Sequence, residues 1–105
     1  LWIETPSNPR MRITDVATLA AAGRVAGALV VVDNTFASPI LQNPLSLGAH
    51  VVMHSSTKYL GGHSDVLGGL LVAGTDCPAP VRERLREWQK LGGAVPAPFD
   101  CWLLL

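Results

Sequence analysis

The chain has 105 residues, 49% of them hydrophobic, and its eight basic and eight acidic side chains give a formal net charge of zero. That is ample apolar material for one folded domain and too short a chain for two, and it excludes an intrinsically disordered protein. Balanced charge leaves no basic footprint for nucleic acid or an anionic membrane, and no uncharged apolar run approaches the ~20 residues of a membrane span; a small-molecule partner in the cytoplasm is expected.

Leu1 to Ile3 can close a strand, which Glu4-Thr5-Pro6-Ser7-Asn8-Pro9 ends because two prolines cannot serve a central ladder. Asn8 therefore falls in a loop at a strand's carboxyl end. From Ile13 a helix is predicted, capped by Thr14 or Asp15, with Val16, Leu19, Ala20 and Gly23 recurring at helical spacing until Gly27 stops it. Ala28-Leu29-Val30-Val31-Val32 is apolar on both faces, the pattern of a parallel strand covered by helices on either side, and Asp33 follows it.

Ser38-Pro39 and Asn43-Pro44 divide the next stretch into turns, with a brief helix expected at Pro44 to Leu47 before Gly48. His50 to His54 reads as the next strand, and Leu70 to Ala73 as another after a glycine-bracketed loop. Val81 to Leu91 is a charged amphipathic helix with Arg84, Trp88 and Leu91 among its face-forming positions, and Gly92 to Pro98 links it to a last helical stretch from Phe99 to Leu105. Alternating strands and helices predict an α/β domain with a mostly parallel sheet and flanking helices, its ligand site beyond the carboxyl ends of the strands. The chain opens on Leu1-Trp2-Ile3 and closes on Trp102 to Leu105 without a cap or breaker, so it is expected to be an internal piece of a longer protein.

Lys58 is the residue with most chemical promise. It lies in Ser55-Ser56-Thr57-Lys58, directly after a buried-type strand and ahead of glycines where backbone can approach a ligand. A lysine amine, with an ordinary pKa of about 10.4, is a poor nucleophile at neutral pH unless its surroundings lower it, and most lysines are simply solvated. Asp33 changes the balance. A carboxylate after five apolar residues needs a cation or donors facing it, although Asp33-Asn34-Thr35 is also a fair turn sequence. Ser55 and Thr57 alternate along the chain and can point the same way, towards a phosphate; the alternative is a serine/threonine turn. Amine, carboxylate and clustered hydroxyls together suit pyridoxal phosphate, which needs an amine for its aldehyde, a partner for its pyridine nitrogen and donors for its phosphate.

Other motifs carry less. Ser56-Thr57-Lys58 lacks the frame of a nucleotide phosphate loop, and Gly62-His63-Ser64-Asp65-Val66 has valine where a nucleophile elbow needs its second glycine. His50 and His54 stand four apart on a predicted strand, too far to chelate one ion readily, so no metal site is expected. Cys77 and Cys101 are far apart in sequence, without a C-x-x-C, and read as ordinary thiols.

Glu4-Thr5-Pro6-Ser7-Asn8-Pro9, Val31-Val32-Asp33-Asn34-Thr35-Phe36 and His54-Ser55-Ser56-Thr57-Lys58-Tyr59-Leu60-Gly61-Gly62-His63-Ser64-Asp65 together resemble the Cys/Met-metabolism enzymes dependent on pyridoxal phosphate. Order and spacing match along nearly the whole chain. The resemblance implies the central part, residues 1–105, of the large cofactor-binding domain of a fold type I, aspartate aminotransferase-like enzyme. It implies Lys58 as the lysine bonded to the cofactor, Asp33 on the pyridine nitrogen, Ser55 and Thr57 on the phosphate, and Asn8 by the phenolic oxygen and substrate carboxylate.

Lys58-Tyr59-Leu60-Gly61-Gly62-His63-Ser64-Asp65 resembles the transsulfuration branch, and Leu41-Gln42-Asn43-Pro44-Leu45 its synthases in particular. The implied activity joins cysteine to an O-acylated homoserine to give cystathionine; the alternative cleaves cystathionine as a gamma- or beta-lyase. A binding module of the same fold and a different phosphate-handling enzyme are the competing classes. The resemblance also implies a homotetramer built from dimers. A phosphate loop and a ring-stacking tyrosine are expected upstream, and a carboxylate-binding arginine in a small downstream domain, so this piece is expected to be inactive by itself.

Overall fold

The computed structural model describes all 105 residues. Three short strands, β1 (Trp2–Glu4), β2 (Val31–Asp33) and β3 (Val51–Ser55), run parallel in the order β1-β2-β3, and β4 (Gly69–Ala73) closes the sheet antiparallel to β3. The fold is α/β with a mostly parallel sheet, as the alternating pattern predicts. Registry is direct: Ile3 pairs with Val32 and Val32 with Val52, which sets three apolar side chains in one row across the sheet.

Helix α1 (Val16–Val25) connects β1 to β2 and supplies the cover for that row. Asp15 caps it, its carboxylate accepting from the Thr18 N–H at 3.0 Å, because the first turn of a helix leaves backbone donors without partners. The Thr18 bonds hold the Asp15 carboxyl below the usual carboxylate range. Val16, Ala20 and Gly23 face the sheet and join Ile3, Val30, Val32, Ala49 and Val52 in the interior. Gly23 permits the approach: a Cβ there would lie 2.9 Å from the Leu1 side chain and 3.0 Å from that of Val30. Gly27 takes a φ of +70° just past the helix, where a side chain would be strained. Val32 is the centre of this packing, with no exposed surface. Val32→Ala in the full-length protein is expected to cost about 2–3 kcal/mol, two lost carbons plus the cavity they leave, read as a lowered denaturant midpoint.

Two local expectations fail. Pro44 to Leu47 is a turn and not a helix; Ala49 and Leu47 both return hydrogen bonds to Pro44, which folds the segment back toward β3. The short helix lies earlier, as α2 (Ser38–Leu41), with Pro39 in its first turn where a missing N–H costs nothing. It is anchored by Asn34, fully buried, whose amide donates to Ser38 C=O at 3.1 Å and Gln42 C=O at 2.9 Å while its oxygen accepts from Gln42 Nε2 at 2.8 Å. Asn34 is thus a buried polar post for the loop.

Helices α3 (Ala79–Leu91) and α4 (Pro98–Leu103) form where the pattern places them, but neither buries a residue. The stripe of α3 faces β4 across a cavity of about 680 Å³, lined by Leu71 and Ala73 of the strand and Leu85 and Trp88 of the helix, and is not sealed against it. Trp88 is reached by Arg84, whose guanidinium carbon is 5.9 Å from the ring centroid. The cover predicted on both faces of the sheet is complete on one and partial on the other: in the row opposite Ile3, Val51 is buried but Trp2 is 59% exposed. No helix is long and apolar enough to cross a membrane.

Candidate active site

The three parallel strands end on Glu4, Asp33 and Ser55. Glu4 is in register with Asp33, so the sheet itself sets polar side chains side by side at its carboxyl edge. Beyond β1 the chain turns over Pro6, and the Asn8 N–H donates to Glu4 Oε1 at 3.2 Å, tying the loop back to its strand. Beyond β3 the chain enters a tight irregular turn, Ser56 to Leu60, in which Gly61 N–H reaches back five residues to Ser56 C=O at 2.8 Å. Lys58 sits at the kink of that turn, at φ −89° and ψ −116°.

A cavity of about 160 Å³ gathers these ends. Glu4, Asn8, Asp33, Ser55 and Lys58 line it with Thr35 and Phe36. Asn8, Asp33, Ser55 and Lys58, far apart in sequence, therefore converge on one space. Thr57 does not share it; it lines a neighbouring cavity of about 620 Å³ with Lys58, Tyr59, Ser64 and Asp65. Its hydroxyl accepts from Gly68 N–H at 3.0 Å and donates to Gly68 C=O at 3.3 Å. Alternation would have set Ser55 and Thr57 on one side, but the chain leaves extended geometry between them, so the two hydroxyls diverge.

Asp33 makes the local turn and lines the cavity as well. Its Oδ1 accepts from the Thr35 N–H at 3.0 Å, the turn predicted by Asp33-Asn34-Thr35, and the carboxylate still borders the cavity. Lys58 is exposed and makes no ion pair; the one ion pair in the chain joins Arg24 to Asp76, far from the site in sequence. The Arg24 guanidinium holds the Asp76 carboxyl below its ordinary range.

Two histidines flank the strand that carries the site. His50 Nδ1 accepts from the Val30 N–H at 2.9 Å, which gives this buried ring a structural task between β2 and β3. His54, 5% exposed, has its pKa lowered by burial, an effect partly offset by the nearby Asp33 carboxylate. A buried histidine with a depressed pKa binds its proton less readily folded than unfolded. Its contribution to stability is therefore fully present above the unfolded value of about 6.5 and is lost as pH falls through that value toward the folded pKa. The melting temperature of the full-length protein is expected to fall between pH 8 and pH 5 more steeply than that of the His54→Gln variant; equal slopes would assign the acid sensitivity elsewhere.

Sequence reasoning missed Glu4 and Thr35 as site residues. Glu4 carries no signal of its own beyond ending a strand. Thr35 does: it stands two residues after Asp33, the position whose N–H an aspartate side chain reaches in a local turn.

Known proteins share the sequence and the fold of this chain. Cystathionine gamma-synthase of Mycobacterium bovis is 51% identical over 105 residues, covering all of this chain and 26% of the relative. Cystathionine gamma-lyase of Bacillus subtilis is 50% identical over the same length, covering all of this chain and 27% of the relative. The crystal structure of apo CalE6, a methionine gamma lyase from Micromonospora echinospora, superposes with a TM-score of 0.92 at 48% identity, over 98% of this chain and 28% of that one. The chain thus spans roughly a quarter of the length of these relatives. The sequence pattern of one family, described as Cys/Met metabolism PLP-dependent enzyme, matches residues 1–105, and the chain belongs to that family.

Proposed function

We propose that the whole protein is a pyridoxal phosphate-dependent transsulfuration enzyme whose cofactor is held by this segment, the central part of its cofactor-binding domain. The observation that carries this reading is the convergence of Asn8, Asp33, Ser55 and Lys58 on one cavity at the carboxyl edge of a mostly parallel sheet. The donor set fits the cofactor. Lys58 brings an amine for its aldehyde, Asp33 a carboxylate for its pyridine nitrogen, Ser55 a hydroxyl for its phosphate, and Asn8 an amide for its phenolic oxygen and the substrate carboxylate. Thr57 is assigned to the phosphate as well, which requires its hydroxyl to turn from Gly68.

When bound, pyridoxal phosphate supplies an electron sink for the charge left as a substrate's α-proton departs. The work of the chain's own residues is then separable. Asp33, oriented by the Thr35 N–H, would hold a proton on the cofactor's ring nitrogen. Lys58, on an exposed turn and free of any ion pair, would hold the cofactor through its amine, and the free amine could move protons among a substrate's Cα, Cβ and Cγ as general base and acid. Asn8 orients the substrate. Proton movement along that chain of carbons permits replacement or elimination at Cγ.

The preferred reaction is γ-replacement joining cysteine to an O-acylated homoserine, giving cystathionine. Its support is the Leu41-Gln42-Asn43-Pro44-Leu45 segment together with the synthase among the relatives. The second reading is cleavage of cystathionine by a gamma- or beta-lyase, favoured by a gamma-lyase of nearly equal identity. Assembly as a homotetramer in the cytoplasm belongs to the same proposal, and light scattering of the purified protein tests its first half. Borohydride reduction of the full-length protein with cofactor, followed by peptide mapping, tests the site: a pyridoxyl adduct is expected on Lys58, and an adduct elsewhere refutes the assignment. Product analysis with cysteine plus an acylated homoserine, set against cystathionine alone, separates synthase from lyase.

A further inference from the structure

We propose that Thr35 is a positioning residue that couples the carboxylate of Asp33 to the start of the loop carrying Ser55 and Lys58, so that the ring-nitrogen and phosphate ends of the site move together. The proposal rests on the reading of this cavity as a pyridoxal phosphate site. Its origin lies in the sheet. The Val51 N–H donates to Val30 C=O, and the same parallel ladder carried four residues further would bring the Ser55 N–H to Asn34 C=O. Asn34 C=O accepts instead from the Ser38 N–H at 2.9 Å as the chain turns into α2, and the Ser55 N–H bonds elsewhere.

Thr35 fills the gap. Its Oγ1 accepts from the Ser55 N–H at 2.8 Å, across two strands and 20 residues of sequence, in a partly buried setting. The N–H of the same residue donates to Asp33 Oδ1 at 3.0 Å. Thr35 also lines the cavity that Asp33, Ser55 and Lys58 share. One residue thus fixes the carboxylate through its backbone and the strand end through its side chain. A valine at 35 keeps shape and backbone N–H but removes the only acceptor the Ser55 N–H has, and a partly buried donor without a partner lets the loop drift.

The two attachments predict different losses. In apo full-length protein, Thr35→Val is expected to weaken binding of pyridoxal 5′-phosphate about tenfold while changing binding of pyridoxal, which has no phosphate, by less than about twofold. Thr35→Ser, which keeps the hydroxyl, is expected to restore wild-type affinity. In a Ser55→Ala background, which keeps the Ser55 N–H but removes the hydroxyl offered to the phosphate, Thr35→Val should cost less than in wild type, because the strand end it frees no longer carries that hydroxyl. Equal losses for the two ligands, full additivity with Ser55→Ala, or no rescue by serine would overturn the role.

Hydrogen exchange of the wild-type protein supplies a measurement that does not depend on any variant folding. The Ser55 amide should be protected to the level of the β3 interior, and exchange at the rate of an open loop refutes the contact. Failure of the underlying reading looks different: wild-type protein would then bind pyridoxal 5′-phosphate no better than pyridoxal, and the inference falls with it.

Discussion

Lys58→Ala in the full-length protein is expected to abolish the pyridoxyl adduct after borohydride reduction and to lower turnover by about 10²–10⁴-fold, the usual contribution of a positioned general acid or base. The structural grounds are local. Lys58 sits on a turn at a kinked backbone position, borders both the small polar cavity and the larger one beside it, and has no carboxylate partner to hold its amine elsewhere. The alanine variant removes nothing from the apolar interior, so thermal unfolding of its cofactor-free form should match that of cofactor-free wild type. Lys58→Arg separates charge from chemistry, because a guanidinium keeps the cation but cannot serve as the same nucleophile or proton carrier. Turnover of either variant within tenfold of wild type would remove Lys58 from the mechanism.

Asp33→Asn is expected to have the second-largest effect, a loss of activity of a hundredfold to a few thousandfold. The magnitude follows from removing one partner of a desolvated charge pair, which costs about 3–5 kcal/mol. Asparagine retains an oxygen that can accept the Thr35 N–H, so the local turn should persist and the loss be electrostatic. Asp33→Glu keeps the charge but lengthens the side chain, and should fall between wild type and Asp33→Asn. A second readout lies in His54. The Asp33 carboxylate partly offsets the effect of burial on that ring, so Asp33→Asn should lower the His54 pKa further, as followed by its NMR titration. An Asp33→Asn enzyme with full activity and an unmoved His54 would show that Asp33 serves the turn alone.

Much of the site was legible in the sequence because its residues stand at strand ends, where a break in the apolar pattern is visible. Ala28 to Val32 announces a buried strand, and Asp33 is conspicuous because the run stops on it. The strand itself is shorter, Val31–Asp33, and carries Asp33 as its last member, since the ladder to β1 and β3 extends to that residue. The Pro44 helix was misread for a physical reason: proline suits a first helical turn equally well at 39, and the buried amide of Asn34 decides between them by binding Ser38 and Gln42. The amphipathic pattern of α3 correctly gave a helix, but pattern alone does not show whether a partner face is at hand.

By itself the sequence determined the alternation of strands and helices, the family, and the identity of Lys58, Asp33, Ser55, Thr57 and Asn8 as the residues to examine. Residue type and local period carry that information, because burial on one face and a polar break at a strand end are properties of consecutive residues. Only the tertiary structure decided which of the five share a cavity. Ser55 and Thr57 part company where the chain leaves extended geometry, and Thr35 links Asp33 to Ser55 at the point where Asn34 C=O turns to α2. Such outcomes depend on hydrogen bonds between segments 20 residues apart, which form only when the strands are side by side.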